Sequence, residues 1–248
     1  ISTNGTIHNV EAMEYFTGNP LVNIQVSLDG ATDTVNDRIR GEGTYRKIIS
    51  GIELLAGRKI PLSINTVVTS VNYAQLNDLK KIAARYQANL RVSRFRPSGR
   101  ARQSWDALKL NNAQLKELSA WLSSEPDILT GDSFFSISQD GRRQLGLDMC
   151  GACKMTCCID PEGNVFPCAF MQDMPFCGGN LREKTLKDIW DNSPAFIRFR
   201  RLEPSACRTC PRFEKCRGGC PAVAYFLTKD LNHSDPECMA RWSGKGEG

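Results

Sequence analysis

Two apolar rhythms alternate through residues 1–100. Asn23-Ile24-Gln25-Val26-Ser27-Leu28 reads as a buried strand stopped by Asp29-Gly30, Leu62 to Thr69, rich in Ile, Val and Thr, as the next strand, and Leu90 to Phe95 as a third. Between them, Ile48, Ile49, Ile52, Leu55 and Ala56 recur at helical spacing within Thr44 to Lys59. Leu76, Leu79, Ile82, Ala83 and Tyr86 make one face of a second helix, which Asn72 is placed to cap. Ile1 to Gly5 has the form of a strand end and turn, followed by a short helix over Val10 to Phe16. Strands alternating with helices of crossover length predict a parallel sheet built from βαβ units. In such sheets ligands bind at the carboxyl ends of the strands, where Ser2 to Gly5, Ser27 to Gly30 and Arg94 to Gly99 all fall.

The pattern changes after Pro97-Ser98-Gly99. Asn111 or Asn112 caps a predicted helix through Leu115, Leu118, Trp121 and Leu122, and Thr130 to Phe135 reads as a loop with two buried aromatics. Thr185 to Trp190 and Pro194 to Phe199 are two short predicted helices, with Leu186, Ile189, Trp190 and Phe196 as core. Expected boundaries are 1–100 for the sheet domain, 101–149 for a connector, 150–242 for a cysteine-rich domain and 243–248 for a tail.

Composition narrows the functional classes. A net charge of +5 with scattered basic residues lacks the dense stripe and interleaved aromatics of a nucleic-acid surface, and no apolar run is long enough to span a bilayer. Neither His8 nor His233 stands beside another candidate ligand, which argues against a histidine metal site or triad. The 11 cysteines change the picture most. They form Cys207-x2-Cys210-x5-Cys216-x3-Cys220-Pro221, with Cys238 seventeen residues on. Five thiols exceed the four ligands of one tetrahedral ion, and a closing x3-Cys-Pro is the arrangement in which two-cluster ferredoxins lend a cysteine to the other cluster. Upstream, Cys150, Cys153, Cys157, Cys158 and Cys168 lie within nineteen residues, with Gly163 five before Cys168.

Two cubanes need eight of these thiols. Zinc is the competing reading, and a disulfide framework a weaker one, since 11 is odd and a 248-residue chain with 41% hydrophobic residues buries a core without staples. Cysteine use without a visible export signal points to a reducing, cytoplasmic setting. Gly218-Gly219 is placed to bring backbone N–H groups close to cluster sulfurs.

The order Cys150, Gly163-x4-Cys168, Cys207-x2-Cys210-x5-Cys216-x3-Cys220 and Cys238 resembles the SPASM domain, the twin-cluster extension of radical SAM peptide-modifying enzymes. The resemblance implies two auxiliary [4Fe-4S] clusters. One would be held by Cys207, Cys210, Cys216 and Cys238, the other by Cys150, Cys157, Cys168 and the crossed-over Cys220, with Cys153 and Cys158 competing for the place of Cys157. Cys177 has no role in this scheme. Upstream, Ser2-Thr3-Asn4-Gly5, Ser27-Leu28-Asp29-Gly30 with Asn36 to Gly41, and Arg96 to Ala101 are similar to the later strands of the radical SAM partial (β/α)6 barrel. By that resemblance Ser27 and Arg40 contact S-adenosylmethionine, with Asn4 and Asp29 on the same edge. Asn-Gly and Asp-Gly also favour turns without any ligand. Arg94 and Arg96 share a strand face and point either at an anionic group or to the surface.

Radical SAM enzymes carry a Cys-x3-Cys-x2-Cys run for a third [4Fe-4S] cluster. It is absent from these residues, so the chain reads as a fragment expected not to cleave S-adenosylmethionine alone. Among SPASM families, Ala169 stands where sulfatase-maturing enzymes have an aspartate base, and Cys216 where the pyrroloquinoline quinone type has an aspartate. Val26 to Thr32, Arg96 to Ala101, Leu129 to Phe135, Met149 to Ala152 and Asp235 to Cys238 most resemble the mycofactocin-type maturases. That implies oxidative decarboxylation and carbon–carbon crosslinking of a carboxyl-terminal Val-Tyr on a precursor peptide. A peptide-binding chaperone and an electron donor such as flavodoxin or ferredoxin are the implied partners. The alternatives are another SPASM maturase or a non-catalytic iron–sulfur or zinc module.

Overall fold

The computed structural model describes residues 1–6, 10–130, 150–211 and 213–238. His8, Gly131 to Phe135, Met149 and the tail at 243–248 lie outside them. The described residues form two compact units, one drawn from residues 1–95 and 106–130, the other from 96–105 and 150–238.

The first unit is organised on four parallel strands in sequential order: β1 (Ser2–Thr3), β2 (Ile24–Ser27), β3 (Leu62–Val68) and β4 (Asn89–Arg94). Helix α1 (Val10–Phe16) lies between β1 and β2, α2 (Asp33–Arg40) and α3 (Thr44–Gly57) between β2 and β3, and α4 (Leu76–Arg85) between β3 and β4. Leu62 through Thr66 are all buried, as in a parallel strand covered on both faces. Val26, Leu28, Ile52, Ile64, Leu79 and Val92 are fully buried and make the core. After α5 (Ala101–Leu108), α6 (Asn112–Ser124) starts with a capping box in which Asn111 accepts from the Gln114 N–H and the Gln114 side chain accepts from the Asn111 N–H. The chain then returns to the sheet, where Val92 N–H donates to Leu129 O at 2.8 Å and Leu129 N–H to Leu90 O at 3.0 Å.

Asn72 departs from its expected role. Its side chain makes no cap. Instead its Oδ1 accepts the Thr69 N–H at 2.7 Å while Nδ2 donates to Asp29 O and Val67 O, each at 2.9 Å. An amide with two donors and an acceptor is more use buried between two strand ends, where three backbone groups need partners, than at an exposed helix start.

The second unit has little regular structure. Antiparallel β5 (Cys158–Ile159), β6 (Asn164–Phe166) and β7 (Gly179–Asn180) form a small sheet, and α7 (Leu186–Asn192), α8 (Pro194–Arg200), α9 (Phe213–Cys216) and α10 (Pro221–Thr228) follow. The β5–β6 turn needs Gly163, whose φ of +88° other residues rarely adopt. Val165, Met171, Ile189, Phe196 and Val223 are fully buried, and Phe176 stands edge-on to Phe199 and Tyr225. Leu186 is exposed rather than core, because it occupies the outer first turn of α7 behind the Thr185 cap. Among the described residues no helix is long and apolar enough to cross a membrane.

Candidate cofactor edge and metal centres

The parallel register carries Asn4, Ser27 to Asp29 and Thr69 to Asn72 to one edge of the sheet, past the carboxyl ends of β1, β2 and β3. Asn4 is engaged locally: its Oδ1 accepts from the Thr6 N–H at 3.1 Å and the Thr6 hydroxyl at 2.9 Å, which is Asx-turn chemistry. The Ser27 hydroxyl has no hydrogen-bond partner among the described residues. Asp29 is buried at the centre of a polar cluster. Arg40 Nε lies 2.8 Å from its Oδ2, and Val67 N–H donates to its Oδ1 at 2.8 Å. Burial pushes the Asp29 carboxyl above its usual range, and the Arg40 charge and the Val67 N–H work against that rise. The fully buried Asn36 completes the corner by accepting the Asp29 N–H at 3.1 Å. Arg40 and Asp29, expected separately at the cofactor edge, are therefore partners of each other, with the Arg40 Nη groups unengaged among the described residues.

Arg94 is buried at the end of β4, and Arg96 lies beyond it with its guanidinium carbon 4.3 Å from the centre of the Phe170 ring. Its charge also reaches Cys168.

Cysteine geometry falls into two neighbourhoods. Cys168 and Cys220 are close enough to Cys150 that a charge on either sulfur disfavours ionisation of Cys150, and Cys220 acts in the same way on Cys168 although it is 52 positions away in the chain. Cys210 and Cys238 lie close enough to Cys216 to act on it in the same way, and the three form the second set. Cys207 is buried on the same winding stretch, in which Cys207 N–H donates to Pro204 O, Cys210 N–H to Cys207 O and Phe213 N–H to Cys210 O. Of the three candidates for the remaining upstream place, Cys153 is fully buried near Cys150, Cys157 and Cys168, while Cys157 and Cys158 are half-buried and adjacent. Arg200 Nε donates to Cys153 O at 2.7 Å and holds that loop. Cys177 stands apart, donating to Gly179 O at 3.4 Å.

Backbone N–H groups converge on the sulfurs. Cys150 accepts from Ala152, Cys168 from Phe170 and Met171, and Cys216 from Gly218 and Gly219. Burial nevertheless dominates: it pushes the Cys150 and Cys153 thiols up to about 12 and Cys168 up to about 11. Thiols this reluctant to ionise are not activated nucleophiles. They become thiolates when a cation replaces the proton, as in metal binding. Among the described residues no three Cys, His, Asp or Glu side chains converge as they do around a single ion. A cubane spreads its four thiolates over four irons, and all-thiol sets in which Cys150, Cys168 and Cys216 accept backbone N–H groups fit iron–sulfur clusters.

A sheet with a polar carboxyl edge, joined in one chain to two thiol sets, is the combination found in radical SAM proteins with a cluster-binding extension. Residues 1–83 match the radical SAM superfamily and residues 150–211 the SPASM iron–sulfur cluster-binding domain, and the chain belongs to this radical SAM/SPASM class. Within it, the chain is 39% identical over 244 residues to the mycofactocin maturase MftC of Mycobacterium ulcerans (strain Agy99), covering 96% of this chain and 66% of that protein. It is 29% identical to the PqqA peptide cyclase of Methylocella silvestris, covering 88% of this chain and 60% of that one. Structures of Streptococcus suis SuiB, bound to S-adenosylmethionine and to the precursor peptide SuiA, superpose with a TM-score of 0.73 at 18% identity, over 96% of this chain and 58% of theirs, and share the fold. The chain thus spans less than two thirds of the length of these curated relatives.

Proposed function

We propose that this chain belongs to a radical SAM maturase of a ribosomally made peptide, one that oxidatively decarboxylates a carboxyl-terminal Val-Tyr and crosslinks it through a carbon–carbon bond. The observation that carries the reading is the meeting of Cys150, Cys168 and Cys220, which supports assigning a cysteine of the downstream run to the upstream set. Similarity to the mycofactocin maturase supports the choice of substrate. The activity belongs to the polypeptide as its gene encodes it. A chaperone that presents the peptide, a flavodoxin or ferredoxin donor and a cytoplasmic location are parts of the same proposal.

Roles follow from the chemistry of each group. When bound, S-adenosylmethionine with its own cluster supplies hydrogen-atom abstraction from the substrate. Arg40, oriented by Asp29, offers its Nη groups to the methionine carboxylate, and the Ser27 hydroxyl offers one neutral hydrogen bond. Cys150, Cys168, Cys220 and one of Cys153, Cys157 and Cys158 hold one auxiliary cluster. Cys207, Cys210, Cys216 and Cys238 hold the other. A cluster bound at either set would supply an acceptor for the electron that the tyrosine gives up as its carboxylate leaves. One hydrogen atom, one electron and carbon dioxide depart, and a carbon–carbon double bond remains beside the phenol. Ala169 provides no base, and a substrate that expels its own carboxylate needs none.

Anaerobic turnover of a peptide ending in Val-Tyr, followed by mass spectrometry, tests this reading. The product should lack carbon dioxide and two hydrogens. Cofactor cleavage with an intact terminal carboxylate, or modification only of an internal residue, would assign the chain to another SPASM maturase.

A further inference from the structure

Asp235 has no place in the ligand sets, yet it touches both. It is 2% exposed, and its Oδ2 accepts the Cys220 N–H at 3.0 Å while Oδ1 accepts the Glu237 N–H at 3.0 Å. Its own N–H donates to Gly218 O, and its carbonyl accepts the Cys238 N–H, each at 3.1 Å. Gly218 and Gly219 are the residues whose N–H groups meet Cys216. A Cβ on Gly219, where φ is +86°, would lie 2.5 Å from Asp235 Cβ, so the carboxylate is packed directly against that turn. Three of these bonds thus reach Cys220 of the upstream set, Cys238 of the downstream set, and the turn that cradles Cys216.

We propose that Asp235 is a positioning residue that registers the two metal centres to each other and sets their reduction potentials together; this rests on the ligand sets proposed above. A simpler role is to satisfy the N–H of Cys220, the residue that precedes Pro221 and caps the start of α10. That role makes no demand on Cys238 or Gly218 and predicts no electronic effect. A buried carboxylate beside a ligand's N–H does have one. It disfavours adding an electron to a nearby cluster, so its charge holds the potential down.

The test uses the gene's full polypeptide, reconstituted anaerobically, with iron and sulfide assays and spin-resonance redox titration. Cys220→Ser and Cys216→Ser identify the signals of the upstream and downstream centres. Asp235→Ala is expected to lower iron at both centres in parallel. Asp235→Asn, which keeps the shape and one acceptor, is expected to retain most iron with both midpoints shifted upward, more at the upstream centre. Loss at one centre only, unchanged iron in Asp235→Ala, or wild-type midpoints in Asp235→Asn would overturn the proposal. If Asp235→Ala does not fold by circular dichroism, the Asp235→Asn midpoints decide alone. Wild-type protein that binds zinc without sulfide would instead refute the ligand sets, a result visible before any Asp235 variant is made.

Discussion

Strand β3 runs for seven residues, five of them buried in succession, whereas among the described residues of the cysteine unit the longest strand, β6, has three. The sheet unit draws its order from Val26, Ile52, Ile64, Leu79 and Val92, closed from water at roughly 25 cal/mol per Å² of apolar surface. In the cysteine unit, Cys153, Cys207, Cys216 and Cys220 occupy buried positions that aliphatic side chains hold in the sheet unit. A buried thiol contributes as a small hydrophobe, but four thiolates on one cluster tie distant segments by bonds that hydrophobic contact cannot match. One unit is organised by its side chains, and the other is completed by what its side chains hold.

The largest effect should come from removing the metal. Chelation under reducing conditions is expected to strip hydrogen-exchange protection from amides such as Gly178, which donates to Val165 O, while those of β2 to β4 stay protected. Metal binding and folding share one free energy where no preformed site survives its loss. Equal loss in both units, or no loss in the cysteine unit, would break the comparison.

The converse perturbation is Arg40→Ala. Removing one partner of a largely buried ion pair leaves Asp29 charged without its counterion, and such losses cost about 3–5 kcal/mol. Urea denaturation should show the sheet unit destabilised by about that amount with the iron content unchanged. Adding Asp29→Asn should recover much of the stability, because the stranded charge is gone, while S-adenosylmethionine affinity stays weak. Recovery of both together would mean that Arg40 only holds Asp29 in place.

Sequence pattern made β2, β3, β4, α3 and α6 legible because each has an apolar face of the right period and a stop or cap in its residues. Helix α2 was not visible, since its fully buried inward residue is Asn36, and a polar side chain leaves no hydrophobic period. Helix α10 has no visible period for the opposite reason: Ala222 to Leu227 is apolar all round. Strands β5 and β7, two residues each, are shorter than any periodicity. At the candidate site, cysteine spacing suggested two sets and a crossover. It could not show that Asp29 and Arg40 face each other, or that the Asp235 carboxylate reaches back to Cys220, because those contacts depend on turns that bring distant residues together.

The smallest effect separates two aspartates that do the same job in the two units. Asp37 Oδ1 accepts the Tyr45 N–H at 2.7 Å and Oδ2 the Gly43 N–H at 2.7 Å, tying α2 to α3. Asp160 Oδ1 accepts the Asn164 N–H at 2.8 Å and closes the turn between β5 and β6. Desolvation is the largest single influence and raises both carboxyls, but the several donors together outweigh it and hold each below the ordinary value near 3.8. A carboxylate with a depressed folded pKa contributes stability that is complete above its unfolded value and lost as pH falls through the folded one. The amide resonances of Tyr45 and Asn164 should therefore stay constant down to about pH 4 and move only below it. Asp37→Asn and Asp160→Asn should each abolish the movement at their own amide and leave the other unchanged. The comparison sharpens in the metal-free protein, where the Tyr45 titration should persist in the intact sheet unit and the Asn164 titration should disappear. An Asn164 amide that still titrates after chelation would mean that the β5–β6 turn holds without the metal.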